Sequence, residues 1–380
     1  MRVEEFAMER LQSTWENLVE INLSESGVHP LRVADLVDRP DLQQALLNER
    51  LVYTQSNGTP ELRRLVAALY PGATEAHIEI TNGGAEANYV VLWHLVEPGD
   101  EIVMMTPNYM QGWGLARAFG GGVARWWLRE GMRAGRPAWR ADLDELDRLV
   151  TPRTKLILIC NPNNPTGARL TAEELDAVCR IAARHGAWVM ADEIYRGAEL
   201  DGIETASVWG RYERVVVTSG LSKAYGLPGL RIGWIAGPPE LIARLWSYHD
   251  YTTIAPSALG DWLARIALAP DRRPRLLDRT RRVLRENYPR LRAWIDAHEG
   301  WFRHIPPEAG AIAYVAYTHP INSSMLVARL RDEQSVLVVP GDHFGMDGYL
   351  RFGFGVETPL LQEGLQRIDR LLSALAVHAG

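Results

Sequence analysis

The chain has 380 residues, of which 47% are hydrophobic and 23% charged, with a formal net charge of −6. That length predicts a large core divided into two domains, or one large domain with an appendage. An acidic balance without a long basic run argues against nucleic acid as a partner, and the absence of any run of about 18 apolar residues argues against a membrane span. The charged start MRVEEFAMER has no apolar signal-peptide segment, so a cytoplasmic protein is expected. Cys160 and Cys179 offer neither a disulfide framework nor metal-ligand spacing and read as small core residues.

Residues 1–40 read as an arm, with a helix expected from Glu4 to Trp15 and a turn-rich segment around Ser24-Glu25-Ser26-Gly27. A helix is expected over 41–52, and Pro60 with Glu61 starts another. Strands and helices then alternate. Strands are expected at Ile78–Thr81, Glu101–Met105, Val123–Leu128, Lys155–Cys160, Ala187–Ala191, Glu213–Thr218 and Ile232–Gly237. Between them come helices from Gly83 to about Val96 and at 108–119, 142–150 and 171–185, the last opened by Thr171 with Glu174 three residues on. Short apolar strands alternating with helices predict an α/β fold, a mostly parallel sheet covered on both faces. After about residue 266 the texture changes. A long arginine-rich helix over 270–298, read as a solvated face, precedes strand patterns at 311–317, 336–340 and 349–354 and a last helix at 359–377. The expected division is an arm at 1–44 that contributes to the small domain, a large domain at 45–265 and a small α+β domain at 266–380.

Open α/β sheets bind ligands outside the carboxyl ends of their strands, and the polar residues of interest fall there. Gly83-Gly84-Ala85-Glu86 opens a helix with small residues, which exposes N–H groups suited to a phosphate. Asn161-Pro162-Asn163-Asn164-Pro165-Thr166-Gly167 is a proline-rich turn. Asp192, at a strand end, reads either as a helix cap or as a functional carboxylate. Tyr109 reads either as a helix-start aromatic or as a ring facing a ligand. Arg351, inside the apolar Leu350–Phe354 run, needs an anion, either in a structural ion pair or in a ligand. Lys223 lies between two apolar strands, and lysine is seldom buried without a chemical use such as Schiff-base formation.

These stretches resemble the class I/II aminotransferases of pyridoxal-phosphate fold type I, the aspartate aminotransferase superfamily. Ser222-Lys223, Gly226, Gly229, Arg231 and Gly233 carry the resemblance first, and Asn164-Pro165-Thr166-Gly167, Asp192 and Tyr195 follow it. It implies pyridoxal 5'-phosphate as cofactor, with Lys223 forming the Schiff base. Arg231 and the Gly84-Ala85-Glu86 turn would hold the phosphate. So would Ser219 or Ser222, which stay open because the family's serine three residues before the lysine is Gly220 here. Asp192 would face the pyridine nitrogen, and Tyr195 and Asn164 the phenolate oxygen. Tyr109 would stack on the ring. Arg351, Asn164 and the backbone of Gly27 would hold the substrate. Tyr53 would reach the phosphate of a neighbouring subunit, which implies a homodimer with shared sites.

The activity so implied is transfer of an amino group between an L-amino acid and a 2-oxo acid. The segment 248–258 contains no Arg or Lys, so an aspartate-specific pocket is not expected, while Glu25, His29 and Asp250 read either as groups suited to a cationic or polar side chain or as solvated surface residues. The 213–234 segment and the Ser24–Gly27 arm also resemble capreomycidine synthase-like members, and the alternative is an eliminase or cyclase of biosynthesis. A non-catalytic regulator would need a helix-turn-helix module, for which the first 40 residues leave no room.

Overall fold

The computed structural model describes residues 2–378. Eight strands form its large sheet: β1 (Ile78–Thr81), β2 (Glu101–Thr106), β3 (Gly122–Arg133), β4 (Arg136–Ala141), β5 (Thr154–Cys160), β6 (Trp188–Asp192), β7 (Val215–Gly220) and β8 (Gly233–Ala236). Their spatial order is β1-β8-β7-β6-β5-β2-β3-β4. The run β7-β6-β5-β2-β3 is parallel, β8 is antiparallel to both of its neighbours, and β4 folds back on β3.

Period-2 alternation explains why both faces are covered. Leu156 and Leu158 of β5 join a cluster with Val91 and Leu92, whereas Ile157 and Ile159 join one with Val178 and Ile181. The first face is covered by α2 (Gly84–Leu95), α3 (Gln111–Ala118) and α5 (Pro239–His249), and the second by α4 (Ala172–His185); α1 (Ala7–Trp15) precedes them all. The capping box of α4 forms as expected, with Thr171 and Glu174 satisfying each other's backbone N–H, and Gly186 ends the helix at φ 67°.

A second sheet of β9 (Phe302–His304), β10 (Ile312–Tyr317), β11 (Val339–Pro340) and β12 (Tyr349–Gly353) is antiparallel, in the order β9-β10-β12-β11. It packs with the long helices α6 (Arg273–Ala297) and α7 (Thr358–His378). Ile21–Asn22 pairs in parallel with Val336–Leu337, which ties the arm to the C-terminal third. Among the described residues no helix is long and apolar enough to cross a membrane. The architecture is that of fold-type I, a mostly parallel sheet between helices with a smaller antiparallel unit.

Three local expectations change. β3 runs on to Arg133, then turns through Ala134 and Gly135 at φ 49° and 75° into β4. Pro137 and the flanking arginines hid β4, but an edge strand tolerates proline because one of its sides has no ladder to complete. The helix expected over 41–52 is shorter, Pro40–Leu47. The arginine face of α6 is not simply solvated. Arg273 donates to Tyr225 and Glu204, Arg279 to the His29 carbonyl, and Arg281 to the fully buried Glu199. These guanidinium groups clamp α6 onto the loop after β6 and onto the arm.

Candidate active site

The carboxyl ends of β2, β5, β6 and β7 and the start of α2 surround one cavity of about 300 Å3. At one end lies the start of α2. Gly83 sits at φ 88°, and a Cβ there would stand 2.4 Å from Arg231 Nη2, so only glycine lets the guanidinium lie against the turn. No side chain caps α2, which leaves its first N–H groups for an anion. Gly84, Ala85, Ser222 and Arg231 line this end. Arg231 itself takes a left-handed backbone, φ 50°, that few non-glycine residues adopt. Of the two serines, Ser222 faces the cavity, while Ser219 is buried and donates to the Glu193 carbonyl at 3.2 Å. The Glu86 side chain turns away from the cavity and accepts from the Asn82 N–H and from Thr253.

Asp192, the last residue of β6, marks the opposite end. Its Oδ2 accepts from Asn88 Nδ2 at 2.9 Å and its Oδ1 from the Ile194 N–H at 3.1 Å. Thr218 of β7 donates to Asn88 Oδ1 at 2.6 Å, which fixes the amide so that its NH2 points at the carboxylate. Burial raises the Asp192 pKa, against the opposing pull of Asn88, Ile194 and Lys223. A cation placed beside it would therefore be strongly favoured. Tyr109 and Tyr195 line the walls. Tyr109 donates to Glu9 Oε1 at 2.8 Å and packs edge-on against Phe6 at 4.9 Å. Burial raises both phenol pKa values.

Lys223 stands among these groups, with its amine 3.7 Å from Glu25 Oε2. That contact, stronger than the effect of burial, lowers the Glu25 pKa. A Cβ on Gly27 would lie 3.5 Å from Lys223 Cδ, so Gly27 packs on the lysine's stem without itself lining the cavity, which Glu25 and Ser26 beside it do.

The 161–167 loop aims Asn164 by using up its other polar groups. Asn161 Oδ1 accepts from the Leu170 N–H at 2.8 Å, and Asn163 Oδ1 takes the Thr166 hydroxyl at 2.6 Å. Asn164 remains to face the cavity, and its Oδ1 accepts from Arg351 Nη1 at 2.9 Å. Arg351 lies behind it, 1% exposed, and also donates to the Ser24 carbonyl. Among the described residues no carboxylate is within ion-pair distance of Arg351, so the structural ion pair weighed from sequence is absent. A buried, unpaired guanidinium is a demand for an anion.

Tyr53 is not brought to this cavity. It is 84% exposed, and Leu51 and Leu47 before it are exposed as well. Sequence reasoning missed Asn88 and the wall formed by Met8, Glu9, Gln12 and Glu16. Asn88 left one trace, an amide one turn after Gly84, just before the apolar Val90-Val91-Leu92 run.

Residues 27–368 match the family described as aminotransferase class I and II. Capreomycidine synthase from Streptomyces vinaceus is 33% identical over 365 residues, covering 94% of this chain and 90% of that protein. Among solved structures, a PLP-dependent aminotransferase from Streptococcus suis superposes with a TM-score of 0.91 at 32% identity, covering 98% of this chain and 99% of that one. The PLP-dependent cyclase OrfR superposes at 0.88 with 28% identity, covering 98% of each. A fold-type I sheet with this cavity at its strand ends defines the class, and the chain belongs to the class I and II aminotransferase family.

Proposed function

We propose that this protein binds pyridoxal 5'-phosphate at Lys223 and transfers an amino group between an L-amino acid and a 2-oxo acid. One observation carries the reading: a single cavity holds an uncapped helix N-terminus beside Arg231, the Lys223 amine, and a carboxylate that burial primes for a cation. Those three features fit the phosphate, the aldehyde and the ring nitrogen of that cofactor. When bound, the cofactor supplies an electron sink for the electrons left when the substrate Cα–H bond breaks. Asp192 holds the proton on the ring nitrogen. Tyr109 limits tilting of the ring, and the Tyr195 hydroxyl donates toward its phenolate oxygen. Arg351 and Asn164 orient the substrate carboxylate, and the freed Lys223 amine carries the proton to and from Cα.

The substrate side chain meets an acidic wall. Glu9, Glu16 and Glu25 line the cavity, and burial with the nearby Glu25 and Glu9 raises the Glu16 pKa. A second substrate carboxylate would be repelled there. In an amino-donor panel with 2-oxoglutarate, cationic or neutral polar donors should exceed aspartate by about tenfold or more in kcat/KM. A panel led by aspartate overturns this part of the reading.

The alternative is elimination or cyclisation. It is favoured by Glu25, a second proton carrier 3.7 Å from the lysine amine, and by the likeness to capreomycidine synthase and OrfR. One donor without an acceptor separates the two. A transaminase stops after one equivalent per site, whereas an eliminase or cyclase keeps turning over.

The protein works as a homodimer in this reading, with the exposed Tyr53 reaching the partner's site. Light scattering should give about twice the 42.6 kDa chain mass, and Tyr53→Phe should weaken cofactor binding by about tenfold. A fully active monomer overturns it.

A further inference from the structure

A buried charged triad lies under the cavity's anion-ready end and is not explained by substrate chemistry. His249, the last residue of α5, is fully buried. Its Nδ1 is 2.9 Å from Glu79 Oε1 on β1, and its Nε2 is 3.2 Å from Glu86 Oε2 and 3.1 Å from Thr253 Oγ1. Glu79 is fully buried too, and its Oε2 has no hydrogen-bond partner.

Glu86 is the consequential member. It sits in the first turn of α2, the helix whose free N–H groups face the cavity. Its Oε2 accepts from the Asn82 N–H at 2.6 Å and its Oε1 from Thr253 Oγ1 at 2.7 Å. Asn82 Nδ2 donates in turn to Thr253 Oγ1 at 2.6 Å and to the Ala255 carbonyl at 3.2 Å. The turn that presents Gly84 and Ala85 is therefore braced from below by the 249–255 segment.

A carboxylate in the first turn of a helix takes up the positive end of the dipole and repels a second anion there. Glu86 would oppose a phosphate at Gly84 and Ala85 unless its charge were answered. His249 answers it, lying between two carboxylates and at the negative end of its own helix, both of which favour the imidazolium. Burial works against that charge, but the bonds to Glu79 and Glu86 outweigh burial and lift the His249 pKa to about 9. Against the same opposition, bonds from His249 and the backbone of Asn82 hold Glu86 down at about 2. Burial, with Asp250 adding to it and His249 and Arg63 opposing, pushes Glu79 up to about 7, so Glu86 is the firmly ionised partner.

We infer that His249 is a positioning residue for the cofactor's phosphate: held between Glu79 and Glu86, it neutralises Glu86 beneath the start of α2 and keeps that turn able to bind a dianion. This rests on the proposal that the turn receives the phosphate of pyridoxal phosphate. It predicts an effect confined to the phosphorylated ligand.

The test is equilibrium binding of pyridoxal 5'-phosphate and of pyridoxal to the apoprotein, followed by protein fluorescence. His249→Gln should weaken pyridoxal phosphate by about tenfold and leave pyridoxal unchanged. Adding Glu86→Gln to His249→Gln should restore most of the loss, because the unanswered carboxylate is then gone. Glu86→Gln alone, which keeps the imidazolium, should bind the phosphorylated ligand more tightly than wild type and provides the reading if His249→Gln does not fold. Equal weakening of both ligands, or none, shows a purely structural ion triad and overturns the inference. A wild-type protein that binds neither ligand overturns the cofactor assignment itself, and the inference with it.

Discussion

Lys223→Ala is expected to abolish turnover, with a loss of at least about 10^4-fold in the transamination rate. Lys223 follows β7, whose last residues are all buried, and its stem is packed against Gly27 while its amine opens into the cavity beside Glu25. Among the described residues no other amine lines that cavity. Glu25 can carry a proton but cannot form a carbon–nitrogen bond to the cofactor aldehyde, so it cannot replace the lysine. The end of the cavity at Gly84, Ala85 and Arg231, where the phosphate is proposed to bind, is untouched by the substitution. The variant should still bind pyridoxal phosphate, but without the visible absorbance shift of the lysine-bound form. Transamination at the wild-type rate in Lys223→Ala would refute the assignment.

Asp192→Asn is expected to lower kcat by about 10^2–10^3-fold while leaving the fold and cofactor binding largely intact. Asparagine has the same shape, and the Ile194 N–H can still be satisfied by its carbonyl oxygen. What disappears is the charge, together with the acceptor for Asn88 Nδ2, which then faces the new NH2. Asp192 is enclosed and braced by Asn88, which Thr218 in turn holds in register. In the proposed site, a negative charge kept there at the cost of burial would stabilise a protonated ring nitrogen, and the protonated ring is the stronger electron sink. The neutral amide leaves the ring nitrogen unprotonated and the Cα–H bond harder to break. The readout is single-turnover absorbance with one amino donor, which isolates proton removal from product release. A rate within threefold of wild type would remove Asp192 from the mechanism.

Much of the molecule is legible in its amino-acid sequence. The alternating apolar strands, the Thr171–Glu174 cap and the glycine-opened helix after β1 are short-range patterns, and each forms. Lys223, Asp192, Asn164 and Tyr109 were readable because each directly follows or ends a strand, where the topology of an open sheet collects side chains into one cavity. The resemblance to a known family added cofactor roles that spacing alone does not contain.

Sequence by itself therefore determined the layered α/β fold, the strand ends that converge, and the residue types that meet there. These follow from local periodicity and chain topology. Tertiary structure alone decided which groups answer which. Asn88 braces Asp192 from 104 positions away, and Glu9 meets Tyr109 across 100. Among the described residues Arg351 is left without a carboxylate, Glu86 turns from the cavity toward His249, and Arg273, Arg279 and Arg281 of α6 dock on the loops while other arginines of that helix face water. The orientation of a polar side chain depends on which distant partner desolvation forces it to find, and a linear pattern carries no record of that partner.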